Sequence, residues 1–165
     1  MFDTPTASLG EISVNDIEAS LYASKIVSYA QGFRLLKAAS LEYGWDLDLG
    51  LVASLWRAGC IIRAAFLEDI TTAYRDTAAL DDLAQANFFA AEVKSAEASW
   101  RRVVAGAVTA GIPSPAYSSA LAYFDGMRSQ RLPADLIQAQ RDYFGAHTFE
   151  RTDQPRGEFF HHDWA

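Results

Sequence analysis

Between Glu18 and Arg34 the chain reads "ASLYASKIVSYAQGF", with Lys25 as its only charge. Within and just beyond that run, Tyr22, Ile26, Tyr29, Phe33 and Leu36 recur in alternating steps of four and three. That is the period of one buried face of an α-helix. Ile17, Leu21, Val27 and Leu35 widen the face. Ser13 or Asn15 can cap the start, and Gly44 supplies the stop after Tyr43. A helix over 15–43 this long and this apolar has to be a central element packed on several sides. It commits the rest of the chain to elements that can cover it.

Those elements also read as helices. One is expected over 49–58, and another over 60–75 from Ile62, Phe66, Ile70 and Ala73. An alanine-rich helix over 87–110 closes at Gly111 before "IPSP", and the next carries Tyr117, Leu121 and Phe124. The last begins after Leu132-Pro133, with proline in the first turn, and ends at Gly145. No stretch has a strand's period-two alternation, and no internal repeat is visible. The expected fold is all-α: a bundle of about six helices with one long buried central helix and an extended C-terminal tail. Residues 1–14 read as a flexible lead-in, 15–147 as the helical domain and 148–165 as the tail. Phe159, Phe160 and Trp164 in that tail call for burial, against this chain or a partner subunit.

Composition narrows the function. Of 165 residues 50% are hydrophobic and 21% charged, which is a globular balance in a one-domain length. A net charge of -7 argues against a general nucleic-acid or anionic-membrane binder. The uncharged run Val103–Phe124 is broken by Gly106, Gly111, Pro113 and Pro115, so a helix, a turn and a second helix fit it better than a membrane span. Cys60 is the only cysteine, which excludes an intrachain disulfide and points to a reducing cytoplasm. The first residues lack the basic start and apolar core of a signal peptide.

Chemistry is sparse. There is no G-x-G-x-x-G, no phosphate-binding G-x-x-x-x-G-K-[ST], no H-E-x-x-H and no nucleophile elbow. No cofactor or metal is therefore expected on this chain. All three histidines (His147, His161, His162) fall late in the sequence, leaving the helical body without a histidine base. Arg57 and Arg63 in "WRAGCIIR" read as helix-edge arginines beside a tryptophan. Arg101 and Arg102 read as answering Glu92 and Glu97, and Cys60 as a buried hydrophobe. In "LIQAQRDYFGAHTFE" (136–150), Arg141 sits in the last helical turn and His147 just past Gly145. Both can point beyond one helix end. They either offset the negative helix terminus or form an anion site that wins through arginine's forked geometry; spacing leaves both open.

The stretches "LYASKIVSYAQGFRLL", "WRAGCIIR", "AGIPSPAYSSALAYFD" and "LPADLIQAQRDYFGAHTFER" closely resemble the C-terminal helical domain of 6-phosphogluconate dehydrogenases. The resemblance runs from about Ile17 to Trp164, in the family's order, and includes the tail's "GEFFHHDW". It implies an enzyme that oxidises 6-phosphogluconate at C3 with NADP and then releases CO2 to give ribulose 5-phosphate in the pentose phosphate pathway. It also implies a homodimer or dimer of dimers whose tails cross into the partner subunit, tail exchange being one form of this. Arg141 and His147 match the family residues that hold the substrate's phosphate end in the partner's active site. The family's dinucleotide domain and its catalytic lysine and glutamate have no counterpart here, so the chain alone is expected to be inactive. The rival reading is a non-catalytic helical oligomerisation module with no ligand; a related hydroxyacid dehydrogenase is a third.

Overall fold

The computed structural model describes residues 8–57, 59–77 and 80–164. They fall into two compact units, divided after Phe124.

The long helix of the first unit, α1, spans Val14–Tyr43. Ser13 opens it with a capping box: its Oγ accepts from the Asp16 N–H at 3.1 Å and its own N–H donates to Asp16 Oδ2 at 3.1 Å. Two of the donors that a helix start leaves without partners are satisfied in this way. Gly44, at φ 64°, closes the helix in the left-handed conformation that glycine adopts without steric cost. Asp16 also ties α1 to α4 (Asn87–Thr109), accepting from Ser99 Oγ at 2.7 Å and from the Arg102 guanidinium at 2.5 Å.

α4 is the main packing partner of α1. Its buried residues Phe89, Val93, Ala96, Trp100, Val103 and Ala107 recur in steps of four and three, and the α1 residues buried in the same unit are Ala23, Ile26, Val27, Ala30 and Phe33, with Ser20 and Ser24. Each fully buried Phe, Ile, Leu or Val of this seam contributes on the order of 1.5–3 kcal/mol through area removed from water. The short helix at Leu83–Gln85 covers one end of the pair. α2 (Leu49–Leu55) packs on α3 (Leu67–Asp76), where Thr71 Oγ1 donates to the Gly50 carbonyl at 3.2 Å. The Phe66 ring joins the layers, edge-on to Tyr22, Tyr29 and Phe89. α5 spans Pro115–Met127 and brings Phe124 against Trp100, with ring centres 5.9 Å apart.

The fold class is as the sequence indicates, with differences in detail. α2 ends at Leu55, and residues 60–66 are turns rather than the start of a helix. Gly59, at φ 71°, bends the chain, and Ile61 is 99% exposed, so this stretch offers no buried face to hold a helix. Cys60, in the turn, is half-buried. On α1, Val27 joins the core, while Ile17, Leu21 and Leu35 lie outside it, 37%, 54% and 70% exposed.

The second unit holds α6 (Ala134–Gly145) and a short antiparallel ribbon of β1 (Phe149–Glu150) and β2 (Phe159–Phe160), with Phe149 opposite Phe160. Two-residue strands are too short for any alternation to register in sequence, which is why none was expected. Among the described residues no helix is long and apolar enough to cross a membrane.

Candidate functional site

The end of α6 places both residues singled out from the sequence. Pro133 precedes the helix with φ -56° and Asp135 lies in its first turn, the order that a helix start favours. At the far end Ala146 adopts a left-handed conformation (φ 49°) and donates its N–H to the Asp142 carbonyl at 2.8 Å. His147 follows, and then Thr148 is left-handed as well, at φ 63°. Each of these non-glycine residues carries a backbone cost of about 1 kcal/mol or more. His147 therefore sits between two strained residues, and something must hold them.

That role falls to Asp142, the only side chain of α6 that is buried, at 0% exposure. Its Oδ1 accepts the Thr148 N–H at 3.0 Å and faces His161 Nδ1 at 2.9 Å. Its Oδ2 accepts the His162 N–H at 2.9 Å and the Trp164 indole N–H at 2.9 Å. An ionised carboxylate only accepts, so Nδ1 of His161 carries the proton. Burial by itself pushes the Asp142 pKa up, but the hydrogen bonds from His162, His161, Trp164 and Thr148 outweigh it and hold the group well below the usual carboxylate range. The knot draws residues 161–164 onto the end of α6, where the Trp164 ring stands edge-on to Tyr143.

Arg141 is exposed, with its guanidinium donating to Gln138 Oε1 at 3.1 Å. His147 is exposed too, and its imidazole lies over Gly145: a Cβ at that glycine would come within 2.9 Å of Nε2. A guanidinium and an imidazole thus flank one helix end, one before and one after the bend. The ribbon that follows is fastened by Glu150, whose carboxylate meets Arg156 at 2.9 Å and the Gly157 N–H at 2.7 Å. The role of Asp142 as a common acceptor has no local sign in the sequence, because three of its four nitrogen partners lie 19 to 22 positions away in the tail.

Three of the other arginines noted in the sequence are engaged elsewhere. Arg57 pairs with Glu68, and Arg101 with Glu97 at 2.9 Å. Arg102 reaches across to Asp16 rather than along its own helix to an acid. A groove lined by Lys37, Asp48, Arg57, Tyr74 and Arg75 mixes charges of both signs, with Lys37 already bound to Asp81 at 2.8 Å. Among the described residues no three His, Cys, Asp or Glu side chains gather as a metal site would need.

Residues 4–164 match the family model for the 6-phosphogluconate dehydrogenase C-terminal domain. The chain is 54% identical to a decarboxylating 6-phosphogluconate dehydrogenase of Treponema pallidum, covering 99% of this chain and 33% of that protein. It is 50% identical to the enzyme of the same description from Haemophilus influenzae, over 98% of this chain and 34% of that one. Among solved structures, a Plasmodium falciparum 6-phosphogluconate dehydrogenase superposes with a TM-score of 0.85 at 45% identity, covering 99% of this chain and 34% of that one. That protein is described in complex with its cofactor NADP+ and with its substrate 6-phosphogluconate. The chain spans about a third of the length of these relatives, and along that third it belongs to the 6-phosphogluconate dehydrogenase family, matching its C-terminal domain.

Proposed function

We propose that this chain serves as the dimerising and substrate-completing domain of a decarboxylating 6-phosphogluconate dehydrogenase. In this reading Arg141 and His147 reach the partner subunit's substrate and hold its phosphate. The reading rests most on one observation: an exposed guanidinium and an exposed imidazole flank a single helix end whose backbone is locked by Asp142. A helix C-terminus repels an anion, so arginine's two parallel charge-assisted bonds have to dominate, with His147 adding a third donor. Neither residue is assigned a part in the hydride or proton transfer; they position the substrate. Leu136, Ile137, Tyr143 and Phe144 of α6 are all more than half exposed, a surface suited to a second copy of the chain.

NADP is the cofactor implied for the whole enzyme, where it would take up the hydride. The residues of this chain do not fit it: the sequence has no glycine-rich dinucleotide loop, and the described strands form only a two-stranded ribbon. No residue here is assigned to the cofactor, and the isolated chain is expected to give no NADP reduction with 6-phosphogluconate.

The test joins this chain to the remaining two-thirds of the Treponema pallidum relative and measures steady-state kinetics. Losing a charge-assisted bidentate contact costs about 1.5–3 kcal/mol, or roughly 10- to 150-fold. Arg141→Ala should raise KM for 6-phosphogluconate by that factor and leave KM for NADP unchanged. An unchanged substrate KM in both Arg141→Ala and His147→Ala would leave only the oligomerisation module.

A further inference from the structure

Asp142 is a carboxylate with no exposed surface in a helix whose other side chains are not buried. Each of its oxygens has two nitrogen partners, Thr148 and His161 on one and His162 and Trp164 on the other. Its own main-chain carbonyl takes the Ala146 N–H. One residue therefore holds the backbone on both sides of His147, at Ala146 and Thr148, two of the three described non-glycine residues whose φ is left-handed. Strain of this kind persists only where surrounding contacts over-determine it, and it collects where a side chain must be aimed. The remaining freedom is the ring's own, and Gly145 sets that, since the imidazole occupies the space a side chain there would fill.

We infer that Asp142 is the positioning residue of this site, fixing the turn that aims His147 and drawing the 161–164 segment onto α6, with Gly145 as the space the imidazole needs. The inference rests on the reading of Arg141 and His147 as phosphate ligands. It assigns substrate affinity to a residue that never touches the substrate.

Asp142→Asn keeps the side chain's shape but puts an amide NH2 where one oxygen faced two donors, so half the knot becomes donor against donor. Gly145→Ala leaves the knot alone. In a helix that change is ordinarily favourable, yet here the methyl would displace the imidazole. Both are made in the full-length enzyme joined as above, beside Arg141→Ala and His147→Ala. Steady-state kinetics are read together with the melting temperature and the NMR signal of the Trp164 indole N–H. Asp142→Asn is expected to raise KM for 6-phosphogluconate at least about tenfold, with kcat and KM for NADP changed far less and the indole signal shifted. Gly145→Ala is expected to raise the same KM without lowering the melting temperature. If Asp142→Asn lowers only the melting temperature, or Gly145→Ala leaves the substrate KM at the parent value while Arg141→Ala raises it, the positioning role is wrong and the phosphate reading stands. If Arg141→Ala and His147→Ala themselves change nothing, the phosphate reading fails and takes this inference with it.

Discussion

At the scale of single residues, two buried polar groups behave in opposite ways. Asp142 has every oxygen satisfied, whereas the Trp100 indole N–H is buried without a hydrogen-bond partner. An unpaired buried donor costs about 1–3 kcal/mol. Trp100→Phe removes that cost along with some volume, so it should destabilise far less than the roughly 3–5 kcal/mol typical of a core Phe89→Ala; urea unfolding of both variants checks the order. For Asp142 the sign of the acid response follows from its lowered pKa. Its contribution is fully present above the ordinary carboxylate value near 3.8 and is lost as pH falls through the lower folded value. The hydrogen bond from the Trp164 indole to Asp142 should therefore survive from neutrality down to about pH 4 and be lost only in stronger acid, as solvent exchange of the indole N–H would read. Arg141 and His147 stand out in sequence because they flank a recognisable helix stop, while the phosphate role comes from the family resemblance alone. Asp142 does not stand out, since a carboxylate on an exposed helix gives no local sign of donors twenty residues away.

At the scale of elements, sequence read best where one physical cause acted alone. The capping box at Ser13 and the glycine stop at Gly44 fixed both ends of α1, and Pro133 and Gly145 bracketed α6. Removing the cap should matter accordingly. Ser13→Ala is expected to cost the first unit about 1 kcal/mol, and Ser13→Asp to retain most of it, as read by urea unfolding of the far-ultraviolet helix signal. The start of α3 lies later than the sequence suggests because Ile62 looks like core in one helical register with Phe66 and Ile70. In the structure Ile62 is exposed, and Gly59 has already turned the chain. Hydrophobicity without a facing surface carries no register. Gly106 on α4 marks a contact that no periodicity encodes: a Cβ there would run into the end of the Ile12 side chain.

At the scale of the whole molecule, the two units differ in kind. The first has an apolar seam between α1 and α4. Among the described residues of the second, the one buried side chain is a charge. A unit without an apolar core depends on what docks against it, so purified chain should self-associate. Light scattering across a concentration series is the measurement, on this chain and on one ending at Thr148. The shorter chain deprives Asp142 of His161, His162 and Trp164, and its association should weaken. Mass fixed at a monomer in both would remove the support for a crossed-tail dimer. The same wiring bears on synthesis. α6 leaves the ribosome about a second or more before the donors 19 to 22 positions downstream, at ordinary elongation rates. During that interval its carboxylate has nowhere dry to go. A polypeptide interrupted before His161 can still close the turn around His147 through Ala146 and Thr148, but it leaves the Asp142 carboxylate short of three of its four nitrogen partners.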